Sequence, residues 1–220
     1  MKLLDLFCCC GGISKGFYNT GRFECTGVDI KDNHSYPYEF IHSDIFKLPL
    51  EFFGQFDLIH ASPPCQGYIH TNKNKQGYER LAERTRTLLL KTGKPFIIEN
   101  VPGSPVRKDL LLCGEMFNLK LIRHRIFEIT GFAVMQPVHT KHKISVLNRT
   151  AVPCYSGGFK PGFWNNKERQ KQFLIMRKKE PYTYTSQDYQ EALGINWVED
   201  KGHLTQMIPP KYSEYIANYF

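Results

Sequence analysis

Five short apolar runs, set apart by turns and helical stretches, constrain this chain more than any other feature. Lys2 to Phe7, Cys25 to Ile30, a segment closing at Ser43-Asp44-Ile45, Asp57 to His60 and Pro95 to Val101 have the length of strands, and the runs at Lys2 and Pro95 are apolar enough to be buried on both faces. Between them fall Gly11-Gly12 with a helical segment from Ile13 to Asn19, and a further helix from Arg80 to Leu90. Strands that alternate with helices in this way form a mostly parallel, doubly wound α/β sheet. After Arg125-Ile126-Phe127-Glu128-Ile129 the pattern gives way to a polar tract containing Gly and Pro, read as a small separate lobe over 131–187. Residues 1–130 and 188–220 then form the main domain. Pro209-Pro210 introduces a closing helix at Tyr212 to Phe220, expected to pack on the sheet.

A chain of 220 residues, 41% of them hydrophobic, can bury one full core. Its formal net charge is +8, concentrated in Lys73 to Arg86, His139 to Lys143 and Lys167 to Lys179. Basic clusters of this kind suit a polyanionic partner. No secretory leader is evident and no apolar run approaches the ~20 residues that span a bilayer, so an intracellular protein that does not engage membranes is expected. Its seven cysteines should then be reduced. Cys8, Cys9 and Cys10 are consecutive and cannot converge on one ion, and Cys25, Cys65, Cys113 and Cys154 lack zinc spacing, so no metal is expected.

Two chemical features stand at the ends of these strands. Cys65 follows Pro63-Pro64 at the carboxyl end of the fourth strand, the edge where open α/β sheets bind ligands. Two prolines hold it on a stiff turn, as suits a nucleophile, although a buried cysteine also serves as a small hydrophobe. The second feature is the Gly11-Gly12 turn, which lets a ligand approach the backbone and the start of a helix. Asp29 ends the second strand, where a carboxylate can hold ribose hydroxyls, and Asp44 follows the third, where it can take an adenine amino group. Together these features point to an adenosyl cofactor.

The segments Asp5-Leu6-Phe7-Cys8-Cys9-Cys10-Gly11-Gly12, Pro63-Pro64-Cys65-Gln66, Glu99-Asn100-Val101 and Arg123-His124-Arg125 resemble, in order and spacing, successive motifs of DNA cytosine-5 methyltransferases. The tail Leu204 to Tyr212 resembles the phage and prophage branch of that family. The resemblance implies a Rossmann-like methyltransferase fold, S-adenosylmethionine as cofactor, and a monomer that acts on duplex DNA in the cytoplasm of a bacterial or phage-infected cell. It also implies that Cys65 adds to C6 of a flipped-out cytosine and that Glu99 acts as acid and hydrogen-bond partner at N3. Arg123 and Arg125, two apart on one face of an extended segment, would bind the nucleotide and orient Cys65. Phe7 and Ile30 would flank the adenine, with Asp5, Ile45 and Pro64 completing the cofactor site. Gly11 and Gly12 would line its methionine end, with Asp29 at the ribose and Asp44 at the adenine.

Three positions depart from the family pattern: Cys9 stands where glycine is usual, Asp29 where glutamate is usual, and Leu121 where a glutamine commonly precedes the arginines. Asn72 to Lys75 and Gly77 have the polarity of a closing loop. Tyr155, Phe159, Phe163 and Trp164 of the lobe suit either base contacts or a small core. An RNA cytosine methyltransferase and a DNA-binding protein without catalysis remain open as alternatives, since core motifs do not specify the polymer.

Overall fold

A computed structural model describes residues 1–69, 77–146, 150–153 and 184–220. The expected closing loop at 72–75 and the lobe aromatics Tyr155, Phe159, Phe163 and Trp164 lie outside these residues.

The apolar runs form β1 (Lys2–Leu6), β2 (Glu24–Asp29), β3 (Glu39–His42), β4 (Leu58–Ala61) and β5 (Phe96–Asn100). Two more strands, β6 (Leu110–Leu112) and β7 (Arg125–Thr130), complete a seven-stranded sheet in the order β3-β2-β1-β4-β5-β7-β6. β7 runs antiparallel to both of its neighbours, whereas β1 to β5 pair in parallel. The strand order therefore reverses beside β1, at the switch point where α/β sheets open a ligand crevice.

Alternate side chains serve opposite faces of the sheet. Leu3 packs with Phe17, Leu58, Ile97 and Phe127 on one face, while Leu4 and Leu6 pack with Ile59, Phe96, Ile98 and Leu89 on the other. The helix α1 (Gly12–Asn19) covers the first face, and α2 (Leu50–Phe53) and α3 (Ala82–Thr92) cover the second. Three further helices close the chain: α4 (Ser186–Leu193), α5 (Lys201–Gln206) and α6 (Pro210–Ala217).

The expected closing helix is α6, and it packs on α1 as well as on the sheet. A side chain at Gly16 would collide with the Pro210 carbonyl, and the Ser213 hydroxyl donates to the Ile13 carbonyl at 2.7 Å. From the same helix Tyr212 inserts between Phe117 and Phe127. A second anchor fastens α3 to β7. Glu128 is buried and accepts from Arg86 Nε at 2.8 Å and from the Arg107 backbone N–H at 3.0 Å. Among the described residues no helix is long and apolar enough to cross a membrane.

Candidate active site

Cys65 sits half-buried just beyond β4 and closes a short turn, its carbonyl accepting from the Tyr68 N–H at 2.9 Å. The neighbouring strand pins that turn, because Asn100 Nδ2 donates to the Pro63 carbonyl at 2.8 Å. Glu99, one residue earlier on β5, is buried and forms an ion pair with Arg125 at 2.8 Å. The β5–β7 register, Glu99 opposite Phe127 and Asn100 opposite Ile126, brings Arg125 to the same end of the sheet. Burial pushes the Cys65 thiol above its ordinary value of 9.0, Arg125 and Arg123 pull it down, and Glu99 pushes it up. Cysteine, carboxylate and arginine thus form one electrostatic unit at the carboxyl edge.

The two arginines diverge in use. Arg123, expected to share a face with Arg125, is buried and donates to the carbonyls of Thr205 and Gln206 at 2.9 and 2.8 Å. These are the last carbonyls of α5, where a cation complements the helix dipole. The Arg123 carbonyl in turn accepts from the Tyr212 hydroxyl at 2.6 Å. Leu121, at the position of the usual glutamine, is fully buried among Ala192, Leu193 and Leu204. It serves that core.

At the β1–β3 edge the backbone does most of the shaping. Phe7 and Cys9 adopt φ of 57° and 45°, and Gly11, which precedes α1, adopts 78°. Cys9 thus occupies a left-handed conformation that suits glycine, which accounts for the residue usual there. Asp29 holds this turn in place. One of its oxygens accepts the Cys9 N–H at 3.0 Å and the other accepts the Lys31 N–H at 3.0 Å. Asp44 caps the short turn Ile45–Lys47 by accepting from the Phe46 N–H at 3.0 Å. The Ser43 N–H donates to the Asp29 carbonyl at 3.0 Å, so the ends of β2 and β3 lie together. Ile30 remains 62% exposed beside them, and Phe7 meets Phe46 edge to face.

Two residues at this edge could hold an adenosine: the exposed Ile30 offers an apolar face, and each Asp29 oxygen, having accepted one N–H, retains a lone pair for a ribose hydroxyl. Three of the predicted cofactor residues have other contacts. Asp5 faces the interior, where its oxygens meet the Ser14 hydroxyl at 2.5 Å and His60 Nδ1 at 2.8 Å. The open side of Gly11 is covered by Tyr36 and Pro37, and a side chain at Gly12 would collide with the Ile208 carbonyl. Ile45 is buried in the second face of the core, and Pro64 is half-buried next to Cys65. Trp197, which the motifs did not single out, donates its ring N–H to the Cys10 carbonyl at 3.0 Å and so buttresses the glycine turn from outside.

The family model for C-5 cytosine-specific DNA methylases matches residues 1–109, the stretch that carries both the glycine turn and the Cys65 and Glu99 strand ends. Over this segment the chain carries the C-5 cytosine-specific DNA methylase domain. Two curated relatives are the type II methyltransferases M.NgoBV of Neisseria gonorrhoeae and M.NlaIV of Neisseria lactamica. Each is 32% identical over 120 residues, covering 47% of this chain and 28% of the relative. The chain thus matches little more than a quarter of the length of these relatives. Among solved structures, the Entamoeba histolytica methyltransferase EhMeth superposes with a TM-score of 0.64 at 12% identity, covering 100% of this chain and 97% of that one. That likeness concerns the fold, and with the mostly parallel seven-stranded sheet it makes this a Rossmann-like methyltransferase fold.

Proposed function

We propose that this methylase is a monomer that transfers a methyl group from S-adenosylmethionine to C5 of a cytosine in duplex DNA, with Cys65 as the nucleophile. The observation that carries the reading is the unit at the carboxyl edge: Glu99 paired with Arg125 at 2.8 Å, on strands that also fix the Cys65 turn. Each of the three side chains fits one demand of the chemistry.

Cytosine C5 is a weak nucleophile, and addition of a thiolate to C6 turns the ring into an enamine-like species that reacts at C5. Cys65 is that thiolate once it is deprotonated, and the Asn100–Pro63 hydrogen bond fixes its line of approach. Charge develops toward N3 as sulfur adds. A proton carried on the Glu99 oxygen that Arg125 does not hold passes to N3 and neutralises that charge, and it leaves N3 again when the ring is restored. Arg123, bound to the end of α5, acts from behind by fixing the segment that carries Arg125. S-adenosylmethionine supplies the electrophilic methyl group, with Asp29, Ile30, Phe7 and Asp44 as its adenosine contacts. Loss of the C5 proton then expels the Cys65 sulfur and restores the ring.

The target atom lies inside the base stack, so the cytosine must rotate out at a cost of a few kcal/mol. The basic stretch at His139 to Lys143 and the lobe over 131–187 would hold the distorted duplex. Incubation with methyl-labelled S-adenosylmethionine and mixed-sequence duplexes, followed by nucleoside mass spectrometry, tests this reading. Label in 5-methyldeoxycytidine from the wild type and none from Cys65→Ala is the expected result. Label in RNA alone, or DNA binding without transfer, would replace it.

A further inference from the structure

Outside the Cys65 site, the fold assembles four potential metal donors that lie far apart in the sequence. Cys113 Sγ and one ring nitrogen from each of His124, His139 and His142 all lie within 4.8 Å of one another. Cys113 follows β6, His124 immediately precedes β7, and His139 and His142 return after it. His124 Nε2 stands 3.1 Å from His139 Nε2 and 3.3 Å from His142 Nε2. Nitrogens bound to a tetrahedral zinc, each ~2.0–2.1 Å from the ion, stand about 3.4 Å apart. The apex of the group therefore already has nearly the spacing that a single ion requires.

Hydrogen bonds among the rings do not satisfy the cluster. Glu115 Oε2 lies 2.7 Å from His142 Nδ1, and an ionised carboxylate only accepts, so the ring proton is on Nδ1 and Nε2 presents a lone pair to the centre. His124 Nε2 faces both other Nε2 atoms and carries at most one proton, so it cannot donate well to both. A cation at the centre removes the conflict. The pairing of a carboxylate with the outer nitrogen of a ligating histidine is the outer-shell arrangement that orients metal ligands. A cavity of about 30 Å³ bounded by Met116, Val138, Thr140 and the two distal histidines gives a small ion a way in.

We infer that Cys113, His124, His139 and His142 form a structural zinc site, closed by four protein ligands, with Glu115 as its outer-shell partner. This departs from the expectation drawn from cysteine spacing, because three of the ligands are histidines and the four are brought together by the β6–β7 hairpin and the segment that returns after it. On binding, Cys113 gives up its thiol proton and its sulfur lone pair forms the bond, and the three imidazoles bind neutral. The ion would fasten the start of the lobe to the sheet and hold His124, which lies between Arg123 and Arg125, in one position. The inference does not depend on the methylation chemistry.

The test uses the full chain, purified, stripped with a chelator and then titrated with zinc alone or cobalt(II) alone. Elemental analysis after desalting should find one zinc per chain, and cobalt should give the intense visible bands of a tetrahedral site with a sulfur-to-cobalt charge-transfer band. His139→Ala alters an exposed side chain that the core does not need, and it should reduce retained zinc at least tenfold while leaving the circular dichroism unchanged. Cys113→Ser should remove the charge-transfer band, and His34→Ala, whose ring is 93% exposed elsewhere, should change nothing. A folded wild-type chain that retains no zinc would overturn the inference, as would retention equal in wild type and His139→Ala.

Discussion

Along β1–β3 the backbone shapes the site, with Phe7 and Cys9 at positive φ and Asp29 and Asp44 accepting N–H groups from their own turns. Along β5 and β7 charge shapes it, with Glu99 on Arg125 at one end of the pair and Glu128 on Arg86 and Arg107 further along. The difference suits what the proposed reaction asks of each edge. A nucleoside is held by shape and by hydrogen bonds, which rigid turns provide. A reacting thiol needs its charge tuned, which requires ionised groups nearby.

This contrast makes the two edges vulnerable to different changes. The largest effect is expected at Cys65, where Cys65→Ala should lower methyl transfer by on the order of 10³-fold or more while leaving the melting temperature near that of the wild type. Transfer to labelled duplex and a thermal melt check the two halves of that statement.

Next in size, Glu128→Ala should cost about 3 kcal/mol of stability, because it leaves Arg86 without its carboxylate and the Arg107 backbone N–H without its acceptor. Burial pushes Glu128 upward, but the hydrogen bonds from Arg86 and the Arg107 N–H outweigh it and hold the carboxyl below its ordinary value. A depressed carboxyl contributes stability above its ordinary pKa and loses it as pH falls through the folded value. Urea unfolding should therefore show the wild-type advantage over Glu128→Ala in full at pH 7 and shrinking as pH drops below 4.5.

A Glu99→Gln substitution sharpens the comparison, because it keeps shape and removes charge. Transfer should fall about 10²-fold. Since Glu99 raises the Cys65 thiol and Arg125 lowers it, the midpoint for alkylation of Cys65 should move to lower pH in Glu99→Gln and to higher pH in Arg125→Ala. Peptide mapping of iodoacetamide labelling against pH reads this directly. The smallest effect belongs to the other edge. Cys9→Gly should stabilise the fold by about 1 kcal/mol, since φ of 45° costs a cysteine what it does not cost glycine. A melt no higher than wild type would place the strain of that turn elsewhere.

Where side-chain pattern alone decides structure, the sequence is a good guide. The apolar runs marked β1, β2, β4 and β5 to within about two residues because burial on both faces requires them, and Cys65 and Glu99 were legible as residues at strand ends. β6 was not, because three leucines are too few to show a period. Nor was the separate use of Arg123, whose partners are carbonyls about eighty residues away at the end of α5, nor the inward turn of Asp5 toward His60 on β4. The same limit applies to Cys113 and its three histidines, whose meeting depends on a hairpin rather than on spacing. Apart from β6, each miss concerns a polar or metal-ligating side chain whose partner is set by tertiary structure.

The central claim is a bond between Cys65 sulfur and C6 of cytosine, and it can be captured. Fluorine in place of the C5 hydrogen leaves no proton to lose, so Cys65 cannot be expelled once transfer has occurred. Duplexes of mixed sequence carrying 5-fluorocytosine, incubated with the protein and S-adenosylmethionine, should yield a complex that survives denaturing electrophoresis and maps to the Cys65 peptide. Methylation of ordinary DNA with no such complex, or a complex that persists in Cys65→Ala, would contradict the account.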